Sequence, residues 1–169
     1  RLLARGGMTV MTVEDPVERR LAGVVQVQVH EKAGMGFATV LRALLRQDPD
    51  VILVGEIRDR ETATVAAQAA LTGHLVLATL HTLDAAGAVA RLADLGVEPF
   101  RIAAALRGVV AQRLLRALCE RCRVRLRPGW RDARLAGRPP EGEALHAPPL
   151  VPCPACDGAG YRGRLAVPE

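Results

Sequence analysis

Two sets of residues in this chain have types and spacings that can do chemistry. The first is Cys119-Glu-Arg-Cys122 with Cys153-Pro-Ala-Cys156. A two-residue gap lets both thiolates of a pair reach one ion, and four thiolates complete the tetrahedral shell of a structural Zn²⁺ site. Four cysteines leave no open ligand position, which argues against catalytic zinc. The 30 residues between the pairs exceed the usual span of about 15–20, but a longer loop adds little closure entropy. Disulfides are the rival reading; the cytosolic look of the chain and the C-x-x-C spacing favour zinc. The second set sits at the ends of three apolar runs: Glu14 and Asp15, then Glu56 and Asp59, then Thr79, His81 and Thr82. Carboxylates there can hold Mg²⁺ or orient a water, and a His or Thr can stabilise charge on a transferred phosphoryl group. The bland alternatives are a strand that merely ends in an acid and a histidine that caps a core edge.

The elements that must position these groups follow from the pattern. Val51-Ile-Leu-Val54 is unbroken by any polar residue and three of its four members are β-branched. It reads as a strand covered on both faces of a parallel sheet, with Gly55 giving the backbone room before Glu56. Met8 to Val13 reads as a strand ended by Pro16. Val24 to Val29 alternates with period 2, as an edge or antiparallel strand does. Phe37, Val40, Leu41, Leu44 and Leu45 repeat as one helix face, with Arg42 and Arg46 on the polar side. Arg58 to Leu71 is a second helix with acids in its first turn, closed by Thr72-Gly73. His74 to Leu80 reads as the next buried strand. Asp84 caps a helix that runs to about Leu95, and Pro99 starts another, expected to continue to about Leu118 with a break near Gly108. Alternating strands and helices with short links mean parallel α/β. Ligands in such sheets bind beyond the carboxyl ends of the strands, where the three polar sets converge.

Composition bounds the class. The 169 residues suffice for an ordinary domain with a core, 50% are apolar and 24% charged, as in a soluble globular protein. Aromatics are scarce, so that core is Leu, Val and Ala. No apolar run approaches the roughly 18 residues of a spanning helix. The net charge of +5 is uneven: residues 1–100 carry 10 bases against 12 acids, residues 101–169 carry 13 against 6. A basic third without aromatic-rich strands or a recognition-helix pattern is a weak case for nucleic acid. Arg116, Arg121, Arg123, Arg162 and Arg164 instead flank the cysteines, where they suit a thiolate-bound ion. The same charges also fit acidic partner loops or anionic lipid heads. Residues 128–154 hold seven prolines and three glycines and read as loop. Both ends read as cut, as in a piece of a longer protein.

Several boxes now resemble one family. Met11-Thr-Val-Glu-Asp-Pro-Val-Glu18 is similar to the aspartate box of the type II secretion and type IV pilus assembly ATPases. Gln26 to Gly34 and Leu41 to Asp59 resemble the run into their Walker B box. Leu71 to Thr82 resembles their histidine box, Val109 to Arg116 the segment before their cysteine motif, and Cys153 to Arg164 the second half of that motif. The resemblance implies a RecA-like P-loop NTPase core over residues 1–118, partial because its Walker A portion is absent, and a tetracysteine zinc-binding module over residues 119–169. It implies a homo-hexameric cytoplasmic motor, peripheral to the inner membrane, that uses ATP and Mg²⁺. Its partners would be inner-membrane platform proteins, with no direct nucleic acid.

Carried over, Glu14 polarises water, Glu56 is the Walker B acid and His81 faces the γ-phosphate. Asp15, Asp59, Thr79 and Arg58 match motif positions near the nucleotide, while His74 is structural. Arg42, Arg46 and Arg91 are candidates to neutralise phosphate across a ring, against the plainer reading of solvated helix faces. The four cysteines place the chain with the assembly or secretion branch, since retraction-type relatives lack them. One departure matters: no G-x-x-x-x-G-K-[ST] occurs, and the sole Lys32 stands in Glu-Lys-Ala-Gly, so the phosphate-cradling loop is missing. This chain alone is therefore expected to be inactive. The alternative function is a non-catalytic, zinc-stapled interaction module on a degenerate nucleotide-binding fold.

Overall fold

A computed structural model describes residues 2–126, 145–151 and 153–169. Most of the Pro-rich stretch read as loop, residues 128–154, lies outside the described residues. The chain divides into two compact units, Arg1–Ala111 and Gln112–Glu169.

The first unit is an α/β layer. Its strands are β1 (Val10–Glu14), β2 (Val24–Gln28), β3 (Val51–Val54) and β4 (Leu75–Ala78); its helices are α1 (Leu2–Arg5), α2 (Phe37–Leu44), α3 (Arg60–Leu71), α4 (Gly87–Asp94) and α5 (Pro99–Ala105). The sheet order is β2-β1-β3-β4 and every pairing is parallel, with Val10 beside both Val24 and Val51, and Val51 beside Leu75. This in-step register brings all four carboxyl ends to one edge. β2 is therefore an edge strand, as its alternation predicts, but a parallel one.

Side chains alternate across the sheet, and one face carries the core. Met11, Val13, Ile52 and Val54 pack with Phe37, Val40, Leu41 and Leu44 of α2, Ala63 and Ala66 of α3 and Ile102 of α5. The apolar stripe of α2 and the small residues of α3 are what the sequence pattern assigns to that contact. The opposite face differs from expectation. β4 reads as a buried strand, yet Leu75 and Leu77 are 44% and 41% exposed. β4 lies at the edge of the sheet, and the helices of the core cluster pack on the other side, so burial on both faces is confined to the central strands.

The second unit is small. β5 (Gln112–Leu118) pairs antiparallel with β8 (Tyr161–Pro168), and β6 (Val124–Arg125) with β7 (His146–Ala147). Here the helix expected to run to Leu118 is corrected: α5 ends at Ala105 and residues 112–118 are strand. Gln112-Arg-Leu-Leu-Arg-Ala-Leu118 suits either state locally. Its partner lies more than 40 positions downstream, and pairing with that strand decides the outcome, a tertiary override of a local pattern. Among the described residues no helix is long and apolar enough to cross a membrane.

Candidate active site and metal centre

The acidic edge is built around Gly55. Its N–H donates to the Val13 carbonyl at 2.8 Å, extending the β1–β3 ladder by one residue. A Cβ at this position would lie 3.1 Å from the Val13 oxygen and 3.3 Å from the Glu14 Cα. Glycine thus lets the two acid-bearing strand ends close on each other. The Thr79 hydroxyl donates to the Gly55 carbonyl at 2.5 Å, and the Ile57 N–H to the Thr79 carbonyl at 3.0 Å. Thr79 therefore stitches the end of β4 to that of β3.

Glu56 is the centre of a small charge cluster. Its side chain is 12% exposed, against 81% for His81. Glu56 Oε2 accepts from Arg58 Nε and lies 3.3 Å from His81 Nε2. A half-sheltered carboxylate beside an exposed histidine and arginine can bind a hard cation on one side and meet anionic oxygens on the other. Glu14 ends the neighbouring strand and is half-buried. Its Oε1 accepts from the Thr12 hydroxyl at 2.5 Å and from Gln26 Nε2 at 3.0 Å.

The remaining expected residues divide. Asp15 is exposed beside Glu14. Asp59 caps α3, both oxygens taken by the Thr62 N–H and hydroxyl at 2.8 Å, which satisfies an otherwise orphaned helix donor. His74 Nδ1 lies 3.0 Å from the Ala69 carbonyl, tying the end of α3 to the start of β4. Arg42 pairs with Glu61 on an exposed surface, and Arg46 and Arg91 are exposed. Thr12 and Gln26 escaped the sequence reading. Their signal is the polar half of the strand alternation, which turns toward the acid.

The cysteines converge. Sγ atoms are 3.9 Å apart for Cys119 and Cys153, 3.8 Å for Cys122 and Cys156, and 4.0 Å for Cys153 and Cys156. All four lie within 4.8 Å of one another. Four sulfurs held at about 2.3 Å by one tetrahedral ion stand about 3.8 Å apart, whereas a disulfide needs about 2.05 Å; all four are free thiols. Each pair is shaped by a tight turn, with Arg123 N–H donating to the Cys119 carbonyl and Asp157 N–H to that of Pro154. Gly160 N–H donates to Cys156 Sγ at 3.3 Å. The Arg121 backbone, opposed by burial, holds the Cys119 thiol down at about 7. Against a favourable backbone contact at Cys153, burial and the three neighbouring sulfurs push Cys122 up to about 12. Four crowded sulfurs cannot all ionise without a cation between them, so the donor set fits a soft divalent ion.

Known proteins of similar sequence share both regions. The profile of the family described as "Type II/IV secretion system protein" matches residues 1–169. The chain is 54% identical over 160 residues to the type II secretion system protein HxcR of Pseudomonas aeruginosa, covering 95% of this chain and 30% of that protein. It is 51% identical over 170 residues to the type IV pilus assembly ATPase PilB of Thermus thermophilus, covering 99% and 19%. With type II secretion system protein E of Pectobacterium carotovorum subsp. carotovorum it shares 56% over 160 residues, 95% and 32%. The chain thus spans about a third or less of these relatives. Among solved structures, the pilus retraction motor PilT with bound ADP superposes with TM-score 0.56 at 39% identity, over 64% of this chain and 34% of that one. The Legionella pneumophila ATPase DotB gives 0.52 at 33%, over 64% and 33%. Matched along its whole length, and more than half identical to relatives from secretion and pilus machines, the chain belongs to the type II/IV secretion system protein family.

Proposed function

We propose that this chain is the acid-bearing part of a motor ATPase that hydrolyses ATP to power type II protein secretion or type IV pilus assembly. The observation that carries the reading is Glu56, sheltered at the end of β3 between Arg58 and His81, with Glu14 ending the adjacent strand. The pairing of two differently held carboxylates suits two tasks. Glu56 would hold the metal side of Mg²⁺–ATP, which when bound supplies the transferable γ-phosphoryl group. Glu14, whose Oε1 is occupied by two donors, would orient water through its other oxygen. His81 and Arg58 carry donors that suit the charge of phosphate oxygens. Thr79 and Asp59 serve by holding the strand end and α3 in place, and Asp15 is a peripheral acid. The cysteines would hold a structural Zn²⁺ that folds the second unit.

The phosphate-cradling loop would come from outside these 169 residues, so the activity is that of the whole protein and not of this chain alone. In this reading the whole protein is a homo-hexamer in the cytoplasm at the inner membrane, working against platform proteins there, as the resemblance of its boxes implies. Relatives named for type II secretion and type IV pilus assembly match 95–99% of the chain, a span that takes in the four cysteines, which supports the assembly or secretion branch. In the full-length protein, Glu56→Gln should lower kcat on the order of 10²–10⁴-fold while nucleotide affinity changes little. Wild-type turnover in that variant would refute the reading.

A further inference from the structure

We propose that Gln26 is a positioning residue for ATP hydrolysis. With Thr12 it fixes the Glu14 carboxylate through Oε1, so that Oε2 is kept as the acceptor for water. The inference rests on the reading of Glu14 given above and adds the device that aims it.

The register of β1 and β2 sets Thr12 beside Gln26 and Glu14 beside Gln28. Thr12, Glu14 and Gln26 all line an open-sided cavity of about 330 Å³ on the face away from the core, together with Leu53 and Leu77. In such a half-apolar setting a polar side chain is costly unless its hydrogen bonds are made. Gln26 makes three. Its Oε1 accepts from the Leu21 N–H at 2.6 Å. Its Nε2 donates to the Arg19 carbonyl and to Glu14 Oε1, each at 3.0 Å. Turning the amide over would set its oxygen against a carbonyl and a carboxylate, and its N–H groups against another N–H. The orientation therefore follows from the network.

Thr12, only 4% exposed, delivers the second donor to the same oxygen at 2.5 Å. Among the described residues Oε2 takes no donor. A carboxylate pinned at one oxygen loses its rotational freedom while the other oxygen remains free to accept, which is the preorganisation a water-orienting group needs. The far end of the clamp is the loop after β1. Arg19 and Leu21 are held by Gln26, and the Val17 N–H donates to Gln28 Oε1 at 3.2 Å. Glu14 is thus aimed by a strand and a loop together.

The test uses the full-length protein and the turnover of five variants against the wild type. Glu14→Gln comes first. A fall in kcat of about 100-fold or more is required by the reading of Glu14, and wild-type turnover there sinks that reading and this inference together. Given that fall, Gln26→Leu should lower kcat about tenfold or more with KM for ATP held within about twofold. In the Glu14→Gln background the same substitution should add less than about twofold, because the two act as a unit. Thr12→Val should lose turnover and Thr12→Ser, which keeps the hydroxyl, should recover most of it. Wild-type kcat in Gln26→Leu, an equal loss in the Glu14→Gln background, or a loss confined to KM would overturn the role of Gln26 while leaving that of Glu14 standing. If Gln26→Leu lacks a cooperative thermal transition, Gln26→Met decides by the same criteria, since it keeps the length of the side chain and removes both donors without adding a charge beside Glu14.

Discussion

In residues 1–111, Leu41, Ile52 and Val54 are 0% exposed and lie within one continuous apolar cluster. In residues 112–169 the buried side chains, among those described, are Cys119 and Cys156. Around them Leu114, Leu115 and Leu165 are 58%, 54% and 60% exposed. The first unit follows the usual route, in which burial of apolar surface offsets chain entropy. The second has too little interior for that, and a two-stranded ribbon is marginal by itself. What it has instead is one point at which two distant turns meet, held by sulfur. Binding energy at such a point becomes folding energy, because the site does not exist in the unfolded chain.

The comparison yields a graded set of expectations. Cys156→Ser removes a buried sulfur from the four and should abolish zinc retention. Amide protection across residues 112–118 and 161–168 should fall on the order of 10³-fold or more, while that of residues 51–54 stays as it was. Metal analysis with hydrogen exchange reads both, and a second unit still protected without metal would break the contrast. Ile52→Ala is the complementary cut. Truncating this fully buried centre of the sheet should cost about 3–4 kcal/mol in denaturant unfolding of the first unit and leave the zinc content unchanged.

A smaller effect is electrostatic. With Cys119 held down at about 7 and Cys122 pushed up to about 12, metal uptake between pH 7 and 12 must displace the Cys122 proton. Below pH 7 it must also displace that of Cys119. Zinc affinity therefore falls as pH falls, and its slope steepens by about one proton, or about tenfold per pH unit, on passing below 7. A chelator competition series from pH 6 to 8 checks the sign and the break.

The legible part of the first unit was its order of elements. Val51–Val54 and the stripe Phe37-Val40-Leu41-Leu44 depend on neighbours within a turn or a strand, so local spacing predicts them, whereas Asp59, expected inside the first turn of a helix from Arg58, is instead the cap of one that begins at Arg60. The roles within the acidic edge were less legible. Asp59 and Thr79 match motif positions as well as Glu56 does, yet their oxygens go to Thr62 and Gly55. Which of these groups are free to act depends on where their hydrogen bonds end, within a turn for Asp59 and between strand ends for Thr79.

By itself, then, the sequence determined the family, the parallel alternation, the three loaded strand ends and the tetracysteine set, because residue type and short-range spacing specify each. Only the tertiary structure decided that residues 112–118 are strand, that β4 is the last strand of the sheet these 169 residues form, and that Thr12 and Gln26 turn their polar groups onto Glu14. Those outcomes rest on contacts between segments far apart in the chain, and the free energy of a long-range pairing is written in neither segment alone.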